Sequence, residues 1–304
     1  MRLTRAHQSG TILAGQPTRR VAPPALAPVT LTVSIVTYQP DLALLERCLL
    51  SLAAALDAAR EAGILRDANV VLVDNTESRT IAEAVVLLGE SRFRDSGVTM
   101  NYLHRHTNMG YGRAHNLVMH GGNTHYHLVL NPDVELAPDA LVAGLTFMNE
   151  HPDIGVLAPA VDNAAGQREF LCKRYPAVLD LALRGFAPPF LRRLFDKRLA
   201  RFEMRNALEA ANGFVSPVPV MSGCFMLARR KVVDATGGFD PAFFLYFEDF
   251  DWSVRLNRVA GSAYVPAVRI VHHGGGAARK GWRHVVWFAT SAARFYRKHG
   301  WKWV

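Results

Sequence analysis

The stretch FEDFDW places three carboxylates, Glu248, Asp249 and Asp251, among Phe and Trp. A carboxyl group surrounded by aromatic side chains is desolvated, which raises its pKa and suits it to proton transfer near neutral pH. Asp251 stands directly before the apolar-periodic run WSVRLNRVAG and fits an N-cap or first-turn acid favoured by the helix dipole. Asp249 is then free to face a cleft. The bland alternative has all three acids capping, or pairing with Arg255 and Arg258. A second set is LNPDVEL, in which Asn131, Asp133 and Glu135 follow an apolar run, and a third is VHHGGG, with His272 and His273. A carboxylate and an imidazole together can hold a divalent cation. Adjacent residues on a strand point to opposite faces, so one of the two histidines is expected to face the cleft. For each set the competing reading is an ordinary polar turn or strand end. NMGYGRAHN (108–116) is glycine-rich but matches neither G-x-x-x-x-G-K-[ST] nor G-x-G-x-x-G, so a P-loop NTPase and a dinucleotide-binding dehydrogenase both lose support. Its glycines still allow a backbone to approach a ligand closely.

These residues must be carried by elements, and the chain supplies an alternation of strands and helices. LTVSIVTY (31–38), ANVVLVDN (68–75), VTMNYLHR (98–105) and HYHLVLNPD are short β-branched or apolar runs of strand type. Between and after them lie DLALLERCLLSLAAALDAAREAG, SRTIAEAVVLLGE, the run after GYG, and PDALVAGLTFMNEHPDI, with apolar residues at helical spacing, then the strand-like GVLAPAV. Continuous apolar strands alternating with helices predict an α/β fold with a mostly parallel sheet covered on both faces. Ligands of such sheets sit beyond the carboxyl ends of the strands. Polar residues collect there: Thr37 and Tyr38, Asp74 and Asn75, Asn108, and Asn131 with Asp133. The second half is less regular. FLRRLFDKRLARFEMRN predicts one basic amphipathic helix, and the end, WRHVVWFATSAARFYRKHGWKWV, mixes Trp and Tyr with Arg and Lys.

The 304 residues are half hydrophobic and carry a formal charge of +9, enough for a sizeable core and a surface that attracts anions. No helix-turn-helix, RNP or zinc signature accompanies that charge, which argues against a nucleic-acid partner. Cys48, Cys172 and Cys224 are odd in number and widely spaced, so neither a disulfide framework nor a cysteine metal site is expected, and a reducing cytosol is the simplest setting. No apolar run reaches transmembrane length, and the N-terminus has no continuous apolar segment of signal-peptide type. Residues 1–29, basic and rich in Pro and Gly, are expected to form a flexible tail. A cytoplasmic location follows, with peripheral contact at the inner face of the membrane as the alternative raised by the Trp/Arg-rich end.

Taken in order, VSIVTYQP, VLVDNTES, NMGYGRAHN, LNPDVEL, SGCFMLARR, GGFDPAFFLYFEDFDWSVR and VHHGGG resemble the motifs of family 2 glycosyltransferases, most of all the bacterial rhamnosyltransferase type. The resemblance covers roughly residues 31 to 285. It implies a GT-A fold with a nucleotide-sugar half (30–160) and an acceptor-binding half (161–285); beyond it, the sequence is expected to form an aromatic, basic C-terminal helix (286–304). Two departures stand out. Gln39 replaces the Asn that often follows V-T-Y, and Asn131-Pro132-Asp133 stands where the general metal motif is D-x-D. Asn131 can offer only a neutral hydrogen bond to the nucleotide, which leaves Asp133 as the main acid for a cation.

What the resemblance implies is inverting transfer from a nucleotide-diphosphate sugar, first of all L-rhamnose from TDP-rhamnose, to a saccharide or lipid-linked acceptor in bacterial surface polysaccharide or lipopolysaccharide assembly. A donor such as UDP-N-acetylhexosamine or UDP-galactofuranose, and a non-catalytic nucleotide-sugar-binding protein, are the alternatives. The implied cofactor is Mg²⁺ or Mn²⁺, held by Asp133 and His272. Asp249 is the implied base, with Glu248 as alternate. Thr37, Tyr38 and Asp74 resemble base and ribose contacts, and Asn108, Gly110, Gly112 and Arg113 would lie near the donor, Arg113 against the diphosphate. Glu135 is kept as a structural acid.

Overall fold

The computed structural model describes residues 27–93, 98–274 and 282–304. Nearly all of the expected tail lies outside those residues. The first strand, β1 (Val29–Thr37), begins at the tail's last position. β1, β2 (Leu65–Asp74), β3 (Thr99–His104) and β4 (Tyr126–Leu130) are the strands anticipated from the apolar runs. They lie in the order β3-β2-β1-β4, all parallel. Register then fixes the rim: Thr37 pairs with Asp74, and Asp74 with His104, so three strands end side by side.

The second half departs from the parallel expectation. β8 (Phe225–Arg229) runs antiparallel to both β4 and β6 (Ile154–Asn163). β9 (Gly261–His272) is parallel to β6. Two short strands missed in the sequence, β5 (Val134–Leu136) and β7 (Arg168–Glu169), pair antiparallel with β9 and β6. Pro132 does not prevent strand geometry at Glu135. It lies in the turn through which the chain leaves β4 and joins the sheet again at its far end.

Helices cover both faces. α1 (Leu42–Glu61) starts at Asp41, whose carboxylate accepts from the amides of Ala43 and Leu44 at 2.9 and 3.2 Å, satisfying two otherwise orphaned donors. Its buried stripe, Leu45, Cys48, Leu49, Leu52 and Leu56, packs with α4 (Ala140–Glu150) on the main core. On the other face α3 (Tyr111–Met119), α9 (Arg230–Thr236) and α10 (Glu248–Leu256) enclose Phe239 and Trp252. All three cysteines are buried free thiols. No helix among the described residues is long and apolar enough to cross a membrane.

The single basic helix expected over 190–206 is instead three short ones, α6 (Pro189–Leu194), α7 (Asp196–Phe202) and α8 (Arg205–Glu209), after α5 (Val178–Phe186). Phe195 leaves helical geometry between α6 and α7, and Met204 takes a left-handed φ of 53° before α8. The apolar positions therefore divide. Leu199 and Phe202 enter the core, whereas Phe190 and Leu194 stay exposed. The C-terminal helix, α11 (Trp282–His299), begins four residues earlier than expected. It is pinned to α10: the fully buried Asp251 carboxylate lies 2.7 Å from Arg255 Nε, 2.7 Å from Lys298 Nζ and 2.8 Å from His299 Nε2, while Phe295 and Tyr296 pack on Phe243 and Phe247.

A polar layer sits inside the fold. The Ser34 hydroxyl meets His115 Nδ1 at 2.7 Å and His127 Nε2 at 2.8 Å, all three residues fully buried. The remaining ring nitrogens, His115 Nε2 and His127 Nδ1, have no hydrogen-bond partner. Burial disfavours the charged ring, so the His115 pKa falls from 6.5 to about 3 and that of His127 falls well below 6.5. A group with a depressed folded-state histidine pKa stays neutral in the fold but charges in the unfolded chain. Its penalty is absent above the unfolded pKa and grows as pH falls toward the folded one. Stability is thus expected to drop below about pH 6.5, by on the order of 2 kcal/mol per histidine near pH 5. Urea melts across that range check this, and the slope should flatten when His115 and His127 are replaced by Gln.

Candidate active site

At the carboxyl ends of β1 and β2 opens a cleft of about 400 Å³. Its floor is Thr37, Tyr38, Asn75, Asn108, Gly110 and Tyr111. Its roof is Phe244 and Leu245 with Trp282, Arg283, His284 and Trp287 of α11. Of the residues expected to contact a nucleotide sugar, Thr37, Tyr38, Asn108 and Gly110 line this cleft. Asn108 folds back on its own loop, its Oδ1 accepting from the Gly110 amide at 3.0 Å. Gly110 has φ +90°, and a Cβ there would lie 2.5 Å from the Phe244 carbonyl oxygen, so only glycine lets this loop dock.

The other expected donor contacts lie elsewhere. Asp74 is fully buried, and its oxygens accept from Thr37 Oγ1 (2.9 Å), the Thr76 amide (3.0 Å) and Tyr102 Oη (2.9 Å). It braces the rim, and its neighbour Asn75 lines the cleft instead, with a buried Oδ1 that has no partner. Gly112 is a packing position, since a Cβ there would meet Phe239 Cβ at 2.8 Å. Arg113 is exposed and donates from Nε to the Pro241 carbonyl at 2.7 Å.

Tyr111 joins this cleft to the acids. Its hydroxyl lies 3.0 Å from Asn131 Oδ1 and 2.7 Å from the Gly223 carbonyl. Burial, with Glu248 nearby, pushes its pKa well above 10, so the phenol stays protonated. Beside it, Asp249 Oδ2 accepts from the Gly223 amide and Oδ1 from the Phe250 amide, both at 2.9 Å. Glu248 is buried in the first turn of α10, and its Oε2 has no partner. Burial and then the charge of Asp249 raise the Glu248 pKa to about 8; burial raises that of Asp249 too, against the pull of its amide donors and Lys173. The pair therefore divides its charge. Amide hydrogen bonds favour the anion on Asp249, and the proton resides on Glu248. The two residues before them, Tyr246 and Phe247, hold left-handed φ values of 68° and 64°, a conformation costing about 1–2 kcal/mol per non-glycine residue. That turn delivers both acids at the start of α10.

Asp133 and the histidines form the third part. His272 Nε2 lies 3.5 Å from Asp133 Oδ1, and His272 Nδ1 lies 3.7 Å from Glu169 Oε2. Burial works against charge on His272, but the two carboxylates outweigh it and push its pKa up to about 9. His273 turns to the other face and meets Glu135 Oε1 at 2.5 Å, with Arg47 Nε at 2.6 Å from the same oxygen. Glu135 is thus a structural acid. Among the described residues no group of three or more His, Cys, Asp and Glu side chains is arranged to hold a metal ion. The Asp133–His272 pair does fit a cation that takes its other ligands from phosphate and water. A Cβ on Gly274 would stand 2.3 Å from Asp133 Oδ2 and 2.8 Å from His272 Nε2, so a side chain there would collide with both donor atoms.

Sequence reasoning missed Glu169, the roof residues of α11 and the role of Tyr111. Tyr111 stood inside a quoted motif and carried a signal, a buried hydroxyl beside glycines. Glu169 and α11 carried none, because their proximity depends on strand pairing and on the anchoring of α11.

The profile described as Glycosyl transferase family 2 matches residues 32–237. An N-acetylglucosaminyl-diphospho-decaprenol L-rhamnosyltransferase of Mycobacterium tuberculosis is 29% identical over 255 residues, covering 80% of this chain and 76% of that protein. The rhamnosyltransferase WbbL of Escherichia coli K12 is 25% identical over 151 residues, 49% of this chain and 52% of WbbL. Among solved structures, GalNAc-T7 with UDP, GalNAc and Mn²⁺ aligns with a TM-score of 0.60 at 15% identity, over 88% of this chain; the chain spans about half of GalNAc-T7, 48%. The mannosyltransferase PcManGT of Pyrobaculum calidifontis, in complex with GDP-Man and Mn²⁺, aligns with a TM-score of 0.56 at 17% identity, over 90% of this chain and 67% of that one. Both share the GT-A arrangement of a curled α/β sheet flanked by helices. With the family profile spanning more than half of its length, the chain belongs to glycosyl transferase family 2.

Proposed function

We propose that this chain transfers L-rhamnose from TDP-rhamnose, with inversion, to a lipid-linked saccharide in bacterial surface polysaccharide or lipopolysaccharide assembly. The relatives' names support the sugar and the acceptor class. The observation that carries the chemistry is the Asp249 carboxylate, held by two backbone amides beside the buried Glu248, whose burial and the charge of Asp249 favour its neutral form. In this reading residues 30–160 bind the nucleotide sugar, 161–285 receive the acceptor, and α11 closes the roof over the donor. Thr37, Tyr38, Asn75 and Asn108 orient the nucleotide, while the aromatic roof excludes water. Asp249 takes the proton of the acceptor hydroxyl as its oxygen bonds to the anomeric carbon. The carbon–oxygen bond to the nucleoside diphosphate breaks on the opposite face. Asp133 and His272 would hold Mg²⁺ or Mn²⁺, which supplies Lewis-acid stabilisation to the diphosphate leaving group. Three buried free thiols suit a cytoplasmic site of action.

Base catalysis contributes ~10²–10⁴-fold. Asp249→Asn should therefore lower kcat by about 10² or more while donor binding, measured calorimetrically, persists; undiminished turnover removes Asp249 from the role. Glu248→Gln, which mimics the protonated form, should cost far less.

Ligands that bind only the folded state raise its melting point by mass action. TDP-rhamnose should stabilise the wild type more with Mn²⁺ than without it, and Asp133→Asn should lose the Mn²⁺-dependent increment alone. A different nucleotide sugar that stabilises better would displace TDP-rhamnose as donor.

We also propose peripheral contact with an anionic membrane. Phe190, Leu194 and Trp303 are 68%, 75% and 63% exposed, and Arg192, Arg193 and Lys302 stand beside them in sequence. Apolar and basic side chains together suit the lipid interface. Co-sedimentation with phosphatidylglycerol vesicles should weaken when the three apolar residues become Ser, and an unchanged pellet rules the contact out. Point changes are required here, because removing α11 would strip Phe295 and Tyr296 from the core.

A further inference from the structure

Glu169 belongs to no motif, yet strand pairing aims it at the proposed cation site. β7 is a two-residue arm on β6, with Glu169 opposite Val161. Val161 in turn pairs with Ile270 of β9, two residues before His272. Residues paired across a sheet point to the same face, as do residues two apart along a strand. Glu169 and His272 therefore share a face, and His273 takes the opposite one, where Glu135 and Arg47 engage it.

The imidazole ring sets what each carboxylate can do. Its two nitrogens point outward in diverging directions, so groups on Nδ1 and Nε2 cannot bind one ion. Nε2 faces Asp133 and the backbone of Gly274. Nδ1 faces Glu169 across 3.7 Å, an ion-pair rather than a hydrogen-bond distance, and has no hydrogen-bond partner. Glu169 is consequently excluded as a ligand of a cation at Asp133, and its place is behind the ring. A histidine that binds a metal through one nitrogen commonly donates its other N–H to a carboxylate, which fixes the tautomer and the ring orientation.

We propose that Glu169 is a positioning residue: its carboxylate, 3.7 Å away, favours the proton on Nδ1 of His272 and thereby leaves the Nε2 lone pair, with Asp133, for a divalent cation. The inference rests on the assignment of Asp133 and His272 as the cation site. It gives the β7 arm a function, because the arm brings a residue from the start of the acceptor half against the last strand of the sheet.

The test reads metal directly. Mn²⁺ is titrated into the full chain with TDP or UDP present, and free Mn²⁺ is followed by electron paramagnetic resonance. Electron spin-echo modulation on the same samples reports coupling to a coordinated imidazole nitrogen. The wild type should bind Mn²⁺ with that nitrogen coupling, and His272→Ala should lose the coupling. Glu169→Ala should weaken Mn²⁺ binding by about 10–100-fold, with at most a small fall in the metal-free melting point. Glu169→Gln, which keeps an acceptor oxygen but no charge, should fall between the two. If Glu169→Ala binds Mn²⁺ like the wild type with the same nitrogen signal, the positioning role is wrong and the cation site stands. A lower melting point with unaltered metal affinity likewise overturns the role and leaves only a structural one. If the wild type shows no coupled nitrogen, or Asp133→Asn and His272→Ala bind as it does, the cation site itself is wrong and the inference falls with it.

Discussion

The antiparallel pairing of β8 against β4 is the constraint on which the site depends. β4 runs parallel to β1 on one side, so its carboxyl end joins the rim with Thr37. β8 runs the other way, so its beginning, not its end, lies at that rim. The Asn131 amide donates to the Cys224 carbonyl at 2.9 Å just beyond the ladder. Gly223, one residue earlier, is thereby brought to Tyr111 and Asp249. A fully parallel sheet would have carried this segment to the opposite edge and separated the two halves of the site. Because β8, β6 and β9 lie between β4 and the far edge, the chain after Asp133 must travel through β5 to reach that edge. Only there does it meet β9 and the histidines.

Within that frame the acids are differentiated by hydrogen-bond donors more than by sequence. Glu248, Asp249 and Asp251 lie within the first turn of α10, where the helix dipole favours negative charge on all of them. Asp251 is saturated by the cations Arg255 and Lys298 and by His299. Asp249 is served by two amides. Glu248, left with an unpartnered oxygen in a buried place, is where a proton costs least. Three like residues within four positions thus become an anchor, a carboxylate and a neutral acid.

Much of this was legible in the chain. Strands ending in polar residues mark the rim because period and composition are local properties, and Thr37, Tyr38, Asn108 and Gly110 are all on the cleft. Asp133 and His272 do approach each other. What was not legible is which way a side chain turns once its backbone is placed. Arg113 and Gly112 sit on the right helix but on its other faces, and Asp74 is on the right strand end but is consumed by Thr37, Thr76 and Tyr102. The basic run from 190 to 206 kept helical spacing across two breaks, because periodicity records which residues could share a face, not whether the backbone continues. The two short strands, β5 and β7, escaped notice, since strands of three and two residues leave no period to read.

The C-terminal helix changes most in meaning. As sequence it is an aromatic, basic appendage. As structure its first turns cover the cleft through Trp282, Arg283, His284 and Trp287, and its last turn closes the charge on Asp251. Tyr246 Oη also meets His284 Nδ1 at 2.9 Å, so the strained turn that delivers Glu248 and Asp249 is tied to the same helix. The free energy that holds that turn comes in part from α11. The buried contacts of Phe295 and Tyr296 on Phe243 and Phe247 act on residues immediately preceding the two acids. A helix that follows the last of the family's motifs in sequence is therefore bound to the geometry of the proposed base, and the cleft and the acids cannot be treated as independent of it.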